Sequence, residues 1–235
     1  MINLTQKLEG KQTLSKVVKL FIFLPLISLC MFLGMWQIER GQEKQDIYNL
    51  YLNNISKEPQ IFDDLHENIP EFTKIKIFGN FVLEKQFLLD NQVYKQKAGY
   101  DVITPLEIND KILLVNRGWV SNNNRQFIPD ISLVKTNNPI IGYIYYYKDS
   151  YTLSNDVYEN KWPLLIQNID INQKSSLLNR EILPYILIMS ESQDNAYALK
   201  KIYKKNSQLK HYMYAGQWFI FSIIGFVFMI ILLRR

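Results

Sequence analysis

The chain has 235 residues, 48% of them hydrophobic and 21% charged, with a formal net charge of +5, two histidines and one cysteine. Its length holds one large domain or two small ones, and so few histidines and cysteines argue against a disulfide framework, a zinc site or thiol chemistry. The positive charge lies in the tail before Leu20, in Arg234-Arg235 and in five lysines between Lys200 and Lys210, so no distributed basic face is left for nucleic acid.

Apolar residues gather at the two ends. Leu20 to Trp36, "LFIFLPLISLCMFLGMW", has no charge in seventeen residues, and Trp218 to Leu233, "WFIFSIIGFVFMIILL", has none in sixteen. At ~1.5 Å per residue each run covers roughly 25–30 Å, the hydrocarbon thickness of a bilayer. The expected fold class is a membrane protein: two transmembrane α-helices, 20–38 and 211–233, bracket a predominantly antiparallel β (α+β) extramembrane domain, 39–210. A basic tail, 1–19, and a basic end, 234–235, complete the division. A cleaved signal peptide is disfavoured because no small-x-small cleavage site follows the first run, and Leu29 before Cys30 disfavours a lipoprotein signal.

Lys7, Lys11, Lys16 and Lys19 oppose one Glu9, and Arg234-Arg235 ends the chain. The positive-inside rule therefore places both termini in the cytoplasm or its organellar equivalent, with the central domain outside. The lysines from Lys200 to Lys210 oppose this, but long loops translocate largely regardless of charge.

Past the first span, "IERGQEKQDIYNLYLNNISKEPQ" reads as a helical extension ending before Pro59. "KIKIFGNFVL", "QFLLDNQVY", "GYDVITPLEI" and "KILLVNRGWV" then read as four strands of an antiparallel meander, linked by short turns. Gly79 inside the first of them marks a bulge or a close backbone approach. "NPIIGYIYYYKD" makes a fifth strand, with Ile141, Tyr143, Tyr145 and Tyr147 on one face, and "KWPLLIQNID" a short sixth. "IDINQKSSLLN" reads as a helix with Asp170 or Asn172 as N-cap, and "PYILIMS" as a last strand. From Asp194 a polar linker leads into "IYKKNSQLKHYMY", read as a helix continuous with the second span. The whole domain reads as a small barrel or a packed sheet with one or two helices.

No glycine-rich phosphate loop and no metal-spaced histidine pair occurs, so the chain carries no enzyme signature. Asp63, Asp64 and Glu67 cluster near His66 in a polar stretch that reads as a solvated loop. Arg117, at the end of an apolar strand, has two readings: a fork for a carboxylate such as an acidic cofactor group, or an internally paired structural residue. Cys30, Gly34, Gln37 and Gly41 form one stripe on the first span, and His211, Ala215, Trp218, Ser222 and Gly225 another on the second, so the two helices are expected to face each other along them. His211 stands at the outer interface beside Tyr212, Tyr214 and Trp218. That setting suits axial ligation of a haem, or an interfacial histidine bonded to headgroups or to the outer domain.

Four stretches together resemble the surfeit-locus protein family, membrane factors for cytochrome c oxidase assembly. "LGMWQIERGQEK" is similar to its glycine-x-tryptophan-glutamine signature, and "GNFVLEKQFLLDNQVYKQKAGYDVITPLEINDKILLVNRGWV" to its central block. "KWPLLIQNID" resembles its later tryptophan-containing strand, and "NSQLKHYMYAGQWF" its entry to the second helix. Ser121 departs from the proline that relatives often carry after the "RGWV" run. The resemblance implies a non-enzymatic protein that holds haem a and delivers it to, or stabilises, nascent oxidase subunit I. It implies His211 as haem ligand, Tyr214 and Trp218 at the family's aromatic positions, and Gly79 at a glycine whose substitution impairs haem handling. Implied partners are cytochrome c oxidase subunit I, haem a synthase and the lipid bilayer. Whether a homo-oligomer encloses the haem stays open. The implied location is the bacterial cell inner membrane, or the mitochondrial inner membrane, with the central domain in the periplasm or intermembrane space. A cofactor-free scaffold clasping oxidase subunits is the alternative.

Overall fold

The computed structural model describes residues 2–62, 68–122, 128–134, 138–147, 161–200, 202–203 and 205–234, with side chains from residue 16 onward. The chain divides into two compact units: Met1–Asn49 with Tyr203–Arg235, and Leu50–Ile202. The cluster at Asp63, Asp64, His66 and Glu67 lies outside the described residues.

The first unit is helical. Helix α1 runs Ile2–Ile55 without a break, so the expected extension past the first apolar run is present and stops before Pro59. The other long helix, α3, runs Leu209–Arg234. Both are long and apolar enough to cross a membrane. Phe21, Phe32, Ile223, Phe226 and Phe228 are exposed along them, a surface suited to lipid rather than water.

Small residues set the seam between these helices. Cys30, Gly34 and Gly41 of α1 are buried, as are Ala215, Ser222 and Met229 of α3. A Cβ on Gly34 would lie 2.5 Å from Cε1 of Phe219, and one on Gly41 would collide with the Tyr212 ring. Glycine at both places lets the two rings pack directly against α1. The order of contacts is antiparallel. Lys19 Nζ donates to the carbonyl of Leu232 at 2.8 Å, placing a cation on the negative end of α3. The two stripes read from the sequence do face each other.

The second unit is built on one sheet. Its strands are β1 Gln60–Ile61, β2 Lys74–Ile77, β3 Asn80–Phe81, β4 Phe87–Tyr94, β5 Lys97–Ile108, β6 Lys111–Ser121, β7 Ile140–Tyr145, β8 Leu164–Ile166 and β9 Glu181–Met189. The spatial order is β1-β2-β7-β9-β6-β5-β4-β8, with β3 also on β5. The meander β4-β5-β6 is antiparallel as expected. Parallel pairings of β1 with β2, β4 with β8 and β6 with β9 make the sheet mixed. A short helix, α2 (Ile171–Leu178), links β8 to β9; Asp170 caps it by accepting from the Gln173 N–H at 3.1 Å, and left-handed Asn179 ends it.

Both faces of the central strands are covered. Leu113, Val115, Leu183, Tyr185 and Leu187 point into one apolar cluster. Ile112, Leu114, Ile182, Ile186 and Ile188 point into the other, beside Leu178 of α2. Strands buried on both sides need apolar residues at every position, hence the continuous runs "ILLV" and "YILIM".

Two expectations need correction. "KIKIFGNFVL" is two strands, because Lys74–Ile77 pairs with β7 while Asn80-Phe81 crosses to β5. The helix leading into the second span is shorter than expected: of "IYKKNSQLKHYMY", Leu209 to Tyr214 belong to α3, and its described residues before Leu209 are not helical. The backbone of Tyr197 and Ala198 is spent on β6, and Asn206 adopts a left-handed φ of 65°, so α3 starts only at Leu209.

Candidate functional site

Arg117 follows its second reading, internal pairing. Its guanidinium is buried at 1% exposure, and its Nε donates to the Asn195 carbonyl at 2.9 Å. One Nη donates to Gln86 Oε1 at 3.0 Å and to the Ile131 carbonyl at 3.1 Å, the other to the Ser132 carbonyl at 3.3 Å. The Tyr197 ring lies beneath it, 4.9 Å from the centroid. Burial lowers its pKa, yet arginine keeps its proton, so carbonyl oxygens and a ring face stand in for a counter-ion. With its donors so engaged, Arg117 is not free to fork onto a carboxylate of a bound group.

The residues after Arg117 hold the linker that precedes α3. Gly118 takes φ +112°, a backbone that side chains rarely adopt. That turn lets Tyr197 N–H donate to the Arg117 carbonyl at 2.6 Å and Trp119 N–H to Ala198 at 2.7 Å. The sequence stretch "NRGW" is therefore a clamp on Asn195–Ala198.

Gly79 is also a packing position. A Cβ there would meet the Glu107 carbonyl at 2.7 Å and Leu106 Cγ at 2.9 Å. The close approach expected at this glycine is made by β5.

On the same unit a cavity of about 260 Å³ is lined by Asp101, Asn116, Tyr145, Tyr147, Ile188 and Lys200, among others. Asp101 Oδ2 pairs with Lys200 Nζ at 2.8 Å, and its Oδ1 is buried without a hydrogen-bond partner among the described residues. Lys200 also reaches Gln92 Oε1. Burial raises the Asp101 carboxyl above its usual 3.8, although the Lys200 charge pulls the other way.

His211, Tyr214 and Trp218 belong to the helical unit. Spaced three and seven residues from His211, the two aromatics share its flank of α3. Tyr214 is 53% exposed, while His211 and Trp218 are half-buried. Nδ1 of His211 lies 2.8 Å from Oε1 of Gln37 on α1. Nε2 has no hydrogen-bond partner among the described residues. An imidazole with one nitrogen tied to an oxygen acceptor and the other open is the arrangement that haem iron accepts, so this donor set fits a haem. Among the described residues no cluster of three His, Cys, Asp or Glu could hold a bare metal ion.

The sequence placed Gln37 on the small-residue stripe but did not pair it with His211. Its regular spacing from Gly34 and Gly41 was the available signal. The clamp residues Gln86 and Asn195 carried none.

A family model described as the SURF1 family matches residues 24–223. The chain is similar to a SURF1-like protein of Rickettsia prowazekii, 30% identical over 221 residues that cover 88% of this chain and 87% of the relative. A SURF1-like protein of Rickettsia bellii is 30% identical over 181 residues, 75% of this chain and 72% of the relative. One from Drosophila melanogaster is 32% identical over 127 residues, 45% of this chain and 42% of its own. A match running from within one apolar helix through the sheet into the other is not a local likeness: the chain belongs to the SURF1 family.

Proposed function

We propose that this membrane protein is an assembly factor for cytochrome c oxidase that holds haem a as cargo through His211. It delivers the haem to nascent subunit I, or stabilises that subunit while the haem arrives, with haem a synthase as the upstream partner. The membrane is the bacterial or mitochondrial inner one, with both termini inside and the β-rich domain outside. Membership of the family and two helices fit to span a bilayer support the reading. One observation carries it: the His211 imidazole is tied at Nδ1 and open at Nε2, on a helix flank shared with Tyr214 and Trp218.

Bound haem a would supply an iron that accepts an imidazole nitrogen, which His211 would offer, and a largely apolar ring that needs cover from water. The chain's part is to present Nε2, to offer aromatic surface, and to hold the imidazole at a half-buried position. Nothing in this role needs a nucleophile or a general base.

A cofactor-free scaffold remains as a second reading because Gly79 and Arg117 both serve the sheet itself. Oxidase maturation in cells separates the two. Replacing the wild-type chain by His211→Ala should leave subunit I short of haem a if the protein carries haem. Normal haem a content and normal oxidase activity in that strain would favour the scaffold.

A further inference from the structure

We infer that Gln37 is a positioning residue that fixes the tautomer of His211, holding the ring proton on Nδ1 and leaving the Nε2 lone pair free for a haem iron; the inference rests on the haem reading above. A neutral imidazole carries one proton on one of its two nitrogens, and only the other can ligate. Oε1 of Gln37 lies 2.8 Å from Nδ1 and a carboxamide oxygen only accepts, so Nδ1 must be the donor. The reverse arrangement, with the amide NH2 donating, would move the proton to Nε2 and block it.

The surrounding packing makes this contact more than a chance surface pair. Gln37 lies between Gly34 and Gly41, one turn to either side on α1. Those two glycines receive the rings of Phe219 and Tyr212, so α3 side chains pack directly on α1 on either side of the carboxamide. The His211 N–H donates to the Gln208 carbonyl at 3.0 Å, anchoring the first turn of α3 that bears the ring. A ring held by its backbone and by one nitrogen presents the second nitrogen in a fixed direction. Such outer partners of ligating histidines typically change metal affinity by about 10–100-fold when lost.

The test uses the full chain in mild detergent, labelled with 15N-histidine. The sequence has only two histidines, so the His211→Ala variant assigns the spectrum. The expected result for wild type is a protonated Nδ1 and a pyridine-type Nε2 at His211. Gln37→Leu should shift the ring towards the Nε2-protonated form, and Gln37→Glu, which keeps an acceptor, should restore the wild-type pattern. An Nε2-protonated His211 in the wild type, or a Gln37→Leu spectrum identical to it, overturns the inference. If Gln37→Leu fails to fold, Gln37→Glu and wild type decide it by the same signature. Haem titration forms the second arm: Gln37→Leu should bind haem about tenfold more weakly, with Gln37→Glu near wild type. Should His211→Ala bind haem as wild type does, the haem reading fails while the tautomer result stands. Should His211→Ala lose haem while Gln37→Leu keeps both tautomer and affinity, only the role of Gln37 fails.

Discussion

Arg117 donates its Nε–H to the carbonyl of Asn195 at 2.9 Å, joining the end of one central strand to the linker that leads out of the sheet domain. Gln86 extends the buried group, accepting from both Arg117 and Thr104 through Oε1 and donating to the Leu83 carbonyl. Asn195 extends it on the other side, with both amide atoms bonded to Val134. Every member is satisfied, so removing the cation strands several acceptors at once. Arg117→Gln should therefore cost roughly 3 kcal/mol or more of folding stability. Limited proteolysis of the detergent-solubilised chain, cleaving near residues 190–205 in the variant and not in wild type, checks this. An intact fold with selective loss of haem would instead return Arg117 to the cofactor.

Gly79 yields a sharper case, because a single methyl must displace a backbone oxygen of β5. Gly79→Ala is expected to destabilise the sheet domain by about 1–3 kcal/mol. Larger side chains at this position should abolish accumulation of the protein. Thermal unfolding followed by tryptophan fluorescence measures the effect. An unchanged midpoint for Gly79→Ala would show that β5 can retreat without cost.

Asp101 makes stability depend on pH. Its folded-state pKa is raised by burial, so protonation favours the fold. Its contribution is fullest below the ordinary carboxyl value of 3.8 and is lost as pH climbs through the raised value. Asp101→Asn cannot titrate, so its melting temperature relative to wild type should rise as pH increases from about 4 to neutrality. A difference that stays flat, or that falls with pH, would mean the Lys200 ion pair outweighs desolvation.

The helical seam can be tested with two glycines of opposite surroundings. Gly34 has the Phe219 ring where a Cβ would stand, whereas Gly216 has nothing within 4 Å. Gly34→Ala should weaken helix packing by about 1–3 kcal/mol, and Gly216→Ala should change it by less than ~0.5 kcal/mol. Unfolding of the helices in mixed micelles, followed by circular dichroism, reports both. Equal effects would mean that Phe219 does not lie on Gly34.

How much could be read from residues alone follows the range of each interaction. The spans, the Asp170 cap and the facing stripes are local patterns of charge, period or residue size, and all were legible. The split of "KIKIFGNFVL" was not, since alternation in Ile75 and Ile77 looks the same whichever partner a strand chooses. The parallel pairing of β6 with β9 joins segments about 70 residues apart, and no turn between them announces it. Arg117 was ambiguous for the same reason: its acceptors at Asn195, Ile131 and Ser132 are main-chain carbonyls, which no residue type signals. For His211 and Gln37, spacing put each on the right stripe, but only the packing of Gly34 and Gly41 sets the register that joins them.

The most direct measurement is the haem content and absorption spectrum of the full chain, co-expressed with haem a synthesis and purified in mild detergent beside His211→Ala. Wild type should carry haem a with the spectrum of a histidine-ligated iron, and His211→Ala, equally well folded, should carry little or none. Equal haem in both proteins, with identical spectra, would contradict the account.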